Sequence, residues 1–300
     1  MRLTWAFVLG SLLSAAGCDD GPTGVVTDAG VVTDTSAERP ICDGTNEIRF
    51  LFTTARLWSG PGEVIFLENG AGLVIVDGKC QFWAQGERRW DDLKTGQLSP
   101  DEERELAERI RYAEWPSVKG VWPGNPTNYD VPVLRFSDGR NTVECVQDCD
   151  LPETPAAVLA MRDQIGDLAR WLLERGASAT GPVRIMVEEN GPEGPSYTVP
   201  MTVAWPLQSV SPAEVAIPVS SYDVLTGAGN TTLVTDAADA AALRALREDY
   251  RSEKYGVWFY DFIPIRVHDP GADKVPEYLL WFRDTTPFED ERGLIDFPPQ

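Results

Sequence analysis

Residues Met1 to Gly17 read MRLTWAFVLGSLLSAAG, and this opening stretch constrains the rest of the chain more than any other. Arg2 and the terminal amine make a short positive region, and Trp5 to Leu13 a mostly apolar one. Ser14, Ala15, Ala16 and Gly17 form a small-residue exit. That order is a secretory signal, not a spanning helix, which needs roughly 20 apolar residues. An exported chain folds where thiols oxidise, so its cysteines become candidate cross-links. There are five, Cys18, Cys42, Cys80, Cys145 and Cys149, an odd number that leaves one outside any pairing.

Ala16-Gly17-Cys18 resembles the lipobox of bacterial membrane lipoproteins, with Ala15 where Leu is usual. The resemblance implies that Cys18 is the lipid attachment site, carrying palmitate-type acyl chains, and that residues 1–17 are a removed signal peptide. The other reading is an ordinary secretory signal with Cys18 as a spare thiol. With Cys18 lipidated, 5 − 1 = 4 cysteines remain. Cys42, Cys80, Cys145 and Cys149 are then disulfide candidates, with all three connectivities open. Zinc sites pair close cysteine knuckles or histidines, and neither Cys42 nor Cys80 has a near neighbour in sequence. No metal and no cofactor is expected. Asp19, directly after the modified cysteine, resembles an inner-membrane retention signal of enterobacterial lipoproteins. The expected address is the cell envelope, facing the periplasm or exterior, with inner and outer membrane both open.

Residues 18–41 repeat the unit GVVTD, at Gly24–Asp28 and Gly30–Asp34. Gly, Thr, Asp and Pro dominate and too little apolar surface is present to order the segment, so it reads as an acidic, disordered tether. Behind it two α+β domains are expected, 42–178 and 179–300, each of antiparallel strands with one or two packed helices. In the first, strands are expected at Ile48–Thr53, Glu63–Glu68, Gly72–Val76, Lys79–Ala84, Val133–Phe136 and Asn141–Gln147, four to six in one sheet. Asn69-Gly70 and Asp77-Gly78 supply hairpin turns that tolerate positive φ. Ser99-Pro100-Asp101-Glu102 is a capping box with proline at the first helical position, opening a helix to about Ala113. A second helix, Pro155 to Arg175, is expected to be capped by Thr154, with Val158, Met161, Ile165, Leu168 and Leu172 on its buried stripe.

In the second domain strands are expected at Val183–Glu188, Tyr197–Trp205, Val257–Val267 and Glu277–Phe282, with a helix capped at Thr235 or Asp236 and running to about Tyr250. Tyr129–Asp138 aligns without gaps on Tyr260–Asp269. Degenerate internal duplication and chance among short aromatic strands both account for this.

Chemistry is sparse. The chain carries 47 acidic against 26 basic residues, a formal net charge of −21, which argues against nucleic acid as a partner. His268 is the one histidine, expected in an exposed turn before Pro270-Gly271. The acidic groups Glu188-Glu189, Asp269 with Asp273, and Glu289-Asp290-Glu291 offer oxygen ligands but match no calcium loop. Ten tryptophans are unusual. Trp58 and Trp122, in Pro/Gly-rich contexts, are the possible ligand-contact aromatics. The reading is a non-enzymatic, lipid-anchored envelope protein with a binding or assembly role. Its expected partners are the membrane, through the anchor, and an envelope protein or the cell wall. The alternatives are a glycan- or peptidoglycan-binding module using Trp58 and Trp122, and a carboxylate-dependent hydrolase.

Overall fold

The computed structural model of the chain describes residues 40–56, 73–86, 91–118, 120–123, 132–138, 140–146, 149, 151–190, 202–217, 231–251, 265–269, 277–291 and 295. It is an α+β fold in which two sheets carry helices, and residues 38–300 make up one contact unit. Among the described residues no helix is long and apolar enough to cross a membrane.

The first sheet grows from a meander of β1 (Ile48–Arg56), β2 (Leu73–Asp77), β3 (Gln81–Gln85) and β4 (Lys94–Gln97). Asp77 sets the β2–β3 turn by accepting the Lys79 and Gln81 amides at 2.9 and 2.8 Å. The chain then forms α1 (Pro100–Arg109), a 3-10 turn (Tyr112–Ser117), β5 (Gly120–Pro123), β6 (Pro132–Ser137), β7 (Thr142–Val146), α2 (Ala156–Leu173) and β8 (Ala177–Ser178). The eight strands run in the order β5-β7-β6-β1-β2-β3-β4-β8, more than the expected four to six. All pair antiparallel except β5, which lies parallel to β7.

The second sheet uses β9 (Val183–Asn190), β10 (Thr202–Ala204), β11 (Ala216–Ile217), β12 (Thr232–Val234), β13 (Ile265–His268) and β14 (Glu277–Asp284). One-turn helix α3 (Pro212–Val215) and α4 (Ala237–Arg251) lie between its strands in sequence. Its order is β10-β13-β14-β9-β11, with β12 also on β9. Here too the arrangement departs from purely antiparallel pairing, since β10 runs parallel to β13 and β11 to β9. The aligned segments 129–138 and 260–269 enter β6 and β13, each the first strand of an antiparallel hairpin. Their outer neighbours differ, antiparallel β1 for β6 and parallel β10 for β13.

Both faces of the first sheet are covered. Phe50, Phe52, Val74, Val76 and Phe82 pack with Leu106 of α1 and Val158, Met161, Leu168 and Leu172 of α2. On the opposite face Leu51, Ile75 and Trp83 meet Leu93, Ala179 and Ile295, with Phe288 edge-on to Trp83 at 5.0 Å. Phe288 and Ile295 therefore help to close the back of the first sheet. In the second sheet Val183, Ile185, Val187, Ile265, Val267 and Leu280 bury against Ala240 and Leu243 of α4.

Several local expectations need correction. The first helix ends at Arg109, not Ala113, because Arg111 takes a left-handed φ of 50°. The Trp115 indole then donates to the Ile110 carbonyl at 3.0 Å, closing the 3-10 turn instead of another α turn. Thr154 does not cap α2. Pro155 holds the N-cap position without any side-chain hydrogen bond, and the Thr154 hydroxyl is buried with no partner among the described residues. Asp236 does cap α4, its Oδ1 accepting the Ala238 and Asp239 amides at 2.9 and 3.0 Å. The expected strand 63–68, the Asn69-Gly70 turn, the parts 197–201 and 257–264 of two strands and the Ile165 side chain lie outside the described residues.

Candidate functional site

The capping box at Ser99 fixes where α1 begins. The Glu102 carboxylate accepts the Ser99 amide at 2.8 Å, and the Glu102 amide donates back to the Ser99 hydroxyl at 3.4 Å. Arg175 then reaches from the end of α2 to the Glu102 Oε1 at 2.9 Å while stacking over Trp171 at 4.3 Å, so the two helices are locked together. These contacts hold Glu102 below the ordinary glutamate range, chiefly through the Ser99 amide and hydroxyl. With α1 immobilised, its outer side and the 3-10 turn enclose a cleft of about 460 Å³ beside Pro40.

The lining mixes apolar side chains, Pro40, Pro100, Ala107 and Ala113, with charged ones. Tyr112 is 1% exposed and its hydroxyl donates to the Arg49 carbonyl at 3.1 Å. Glu103 accepts the Cys42 amide at 2.9 Å, tying the start of the folded unit to α1. Arg111 pairs with Glu114 and Arg104 with Asp101 at 2.6 Å. Glu108 takes part in no ion pair among the described residues. A hollow of this size accommodates a few side chains of a partner.

Cys42–Cys80 and Cys145–Cys149 are the two disulfides, out of the three connectivities open in the sequence. The Gly44 amide donates to the Gly78 carbonyl at 2.5 Å, which brings the chain around Cys42 onto the β2–β3 turn. Cys42, Cys80 and Glu103 place a sulfur each and a carboxylate oxygen within 4.8 Å of one another. Metal coordination needs thiolates, and in the disulfide both sulfurs are already bonded. Cys18 and Trp58 lie outside the described residues.

Trp122 sits in β5 and is half-buried against the main core, with its indole N–H buried and no acceptor among the described residues. Its neighbour Val121 is 48% exposed at the open end of the sheet. His268 is not in an exposed turn. It is the half-buried last residue of β13, opposite Glu277 in register. Glu188 and Glu189 are consecutive on β9 and project to opposite faces, Glu188 buried and Glu189 exposed, so they do not share an ion. Glu289 is taken by Arg283 at 2.6 and 2.9 Å, and the carbonyls of Asp290 and Glu291 accept from Arg184. That acidic run is a structural clasp.

The sequence had no signal for the α1 cleft as a whole, because Pro40 and the 3-10 turn meet only in the fold. Compared with protein-family models, with curated proteins and with solved structures, the chain matches none.

Proposed function

We propose that this chain is a lipid-anchored cell-envelope protein with a non-catalytic binding or assembly role, and that it meets its partner through the cleft along α1. The observation that carries the reading is the position of that cleft beside Pro40, close to the start of the contact unit that runs from residue 38. An acyl group on Cys18 would lie 40 − 18 = 22 residues upstream, at most about 75 Å of extended chain. Two chains or more on one cysteine give lasting membrane attachment, which a single chain does not. The charge of −21 repels anionic headgroups and turns the body toward soluble or protein partners. The two disulfides suit an oxidising compartment.

The test is site-specific photo-crosslinking in intact cells, with the probe at Ala107 in the cleft or at Leu233, which is 44% exposed on the second sheet. The expected result is one defined partner captured from Ala107, absent from Leu233 and lost when Arg111→Glu alters the cleft wall. Equal capture from both positions, or none from Ala107, overturns the assignment. Mass analysis of a Cys18→Ser form tests the anchor separately. Unchanged processing and membrane association would remove it.

A second reading has its own observation, the half-buried Trp122 on β5, the strand at one end of the first sheet. A glycan stacking on Trp122 or on Trp58 would change tryptophan fluorescence. Titration with cell-wall fragments to millimolar concentration without a spectral change disposes of it.

A further inference from the structure

Glu188 lies in β9 on the face of the second sheet turned away from α4. In register it stands opposite Leu279 of β14 on one side and Ile217 of β11 on the other. Met186, two residues earlier on the same face, is 2% exposed, Leu279 is 1% and Trp281 is 4%, and the three form one buried apolar cluster. Glu188 itself is 7% exposed. Among the described residues its carboxyl has no hydrogen-bond donor and no cation beside it.

The charged groups that share this face are otherwise occupied. From β13 come Arg266, whose Nε is 3.4 Å from the Glu277 carboxylate of β14, and His268, in register with Glu277. On β9, Arg184 is held by the Asp290 and Glu291 carbonyls, and on β14, Arg283, in register with Arg184, donates to the Glu289 carboxylate. β11 contributes only Ala216 and Ile217. α3 carries Glu214, whose carboxylate accepts the Ser211 amide and hydroxyl at 2.8 and 2.9 Å. An unpaired carboxylate in such a place is costly, whereas the neutral acid loses far less by leaving water.

We propose that Glu188 is a proton-controlled latch on the second sheet: uncharged, it lets β9 and β14 stay packed on this face, and ionised, it loosens them. The sign follows from burial, which pushes the Glu188 carboxyl above its ordinary value. A folded-state value raised in this way gives stability that is complete below the unfolded value and fades as pH climbs through the folded one. With a single proton involved, protection of the two strands falls by up to about tenfold per pH unit between the unfolded and the folded value, and levels off above the folded one.

Hydrogen exchange of the intact chain, followed by mass spectrometry and corrected for intrinsic rates, reads this directly. Peptides covering 183–190 and 277–284 should lose protection as pH rises above the carboxylate range, while those covering β1 and β2 should not. Glu188→Gln should flatten the profile. Protection independent of pH in the parent chain overturns the proposal, and so does an unchanged profile in Glu188→Gln, which would assign the effect to another group. Should Glu188→Gln fail to fold, carbon-13 NMR titration of the Glu188 carboxyl in the parent chain decides. A midpoint at or below that of an ordinary glutamate refutes the latch.

Discussion

Arg247 of α4 is 1% exposed, and one nitrogen, Nη2, lies 2.8 Å from the Asp284 carboxylate and 2.6 Å from that of Asp92. Asp284 ends β14 in the second sheet, and Asp92 precedes β4 in the first, so a single guanidinium joins the two. Arg247→Met keeps most of the volume and removes the charge. Breaking a buried pair of this kind costs about 3–5 kcal/mol, because the abandoned carboxylate stays out of water. Two features place the expected loss near the lower end, at ~3 kcal/mol. Asp284 keeps Arg244 at 2.7 Å and Asp92 keeps Arg251 at 3.1 Å. Moreover Arg247 leaves Nε and Nη1 without partners among the described residues, so the native arrangement is itself imperfect. Urea unfolding followed by tryptophan fluorescence and far-ultraviolet dichroism measures the loss. Because the clamp bridges the sheets, the two probes should also stop coinciding, as expected when cooperativity between parts weakens. A change under about 0.5 kcal/mol, with both probes still superimposed, would refute the reasoning, since it would be typical of an unimportant surface site.

The remaining expectations concern the disulfides, one glycine and acid. Chain-entropy reasoning gives about 4 kcal/mol for Cys42–Cys80, with its separation of 38 residues, and about 2 kcal/mol for Cys145–Cys149, separated by 4. The paired alanine variants should therefore differ in that order in thermal melts, and equal melting temperatures would contradict it. Gly78→Ala puts a methyl group into the Asp43 carboxylate and Thr45. It should cost roughly 1–3 kcal/mol in urea midpoints, as overpacking does. Burial alone would raise the Asp92 carboxyl, but Arg247 and Arg251 outweigh it and hold the group below 3.8. Its contribution is thus fully present above the ordinary value and is lost as pH falls from there through the lower folded one. An acid titration of stability should steepen there in the parent chain and less so in Arg247→Met.

What the sequence disclosed was local chemistry. The Ser99-Pro100-Asp101-Glu102 box starts α1 where the spacing says it must, and Asp236 caps α4 for the same reason. Asp77-Gly78 turns the chain because an acceptor side chain there satisfies the next amides. Strand β4 was hidden, as Lys-Thr-Gly-Gln has no apolar alternation. Its Gly96 is explained only by the Phe82 ring, which a Cβ at that position would approach to 2.6 Å. The cleft was equally hidden, being assembled from Pro40 and a turn whose direction depends on the left-handed Arg111.

Some of the hidden features nevertheless had a readable trace. Ala240, Leu243 and Arg247 follow one another at the three- and four-residue intervals of a single helical stripe. Two of them bury in the second core, so the third has to bury as well. A cation on a buried stripe demands anions, and the buried carboxylate that α4 itself carries, Asp239, lies about two turns away and accepts from Gln208 and Ser209. The anions must come from other elements, and Asp92 and Asp284 are those elements' contribution. The same reasoning applies to Arg184, Met186 and Glu188, which alternate along β9 and share one face. Met186 among charges marks that face as covered, and from there the charged neighbours divide into two cases. Arg184 finds acceptors, while Glu188 has none among the described residues, which is why protonation is the means left to keep it buried.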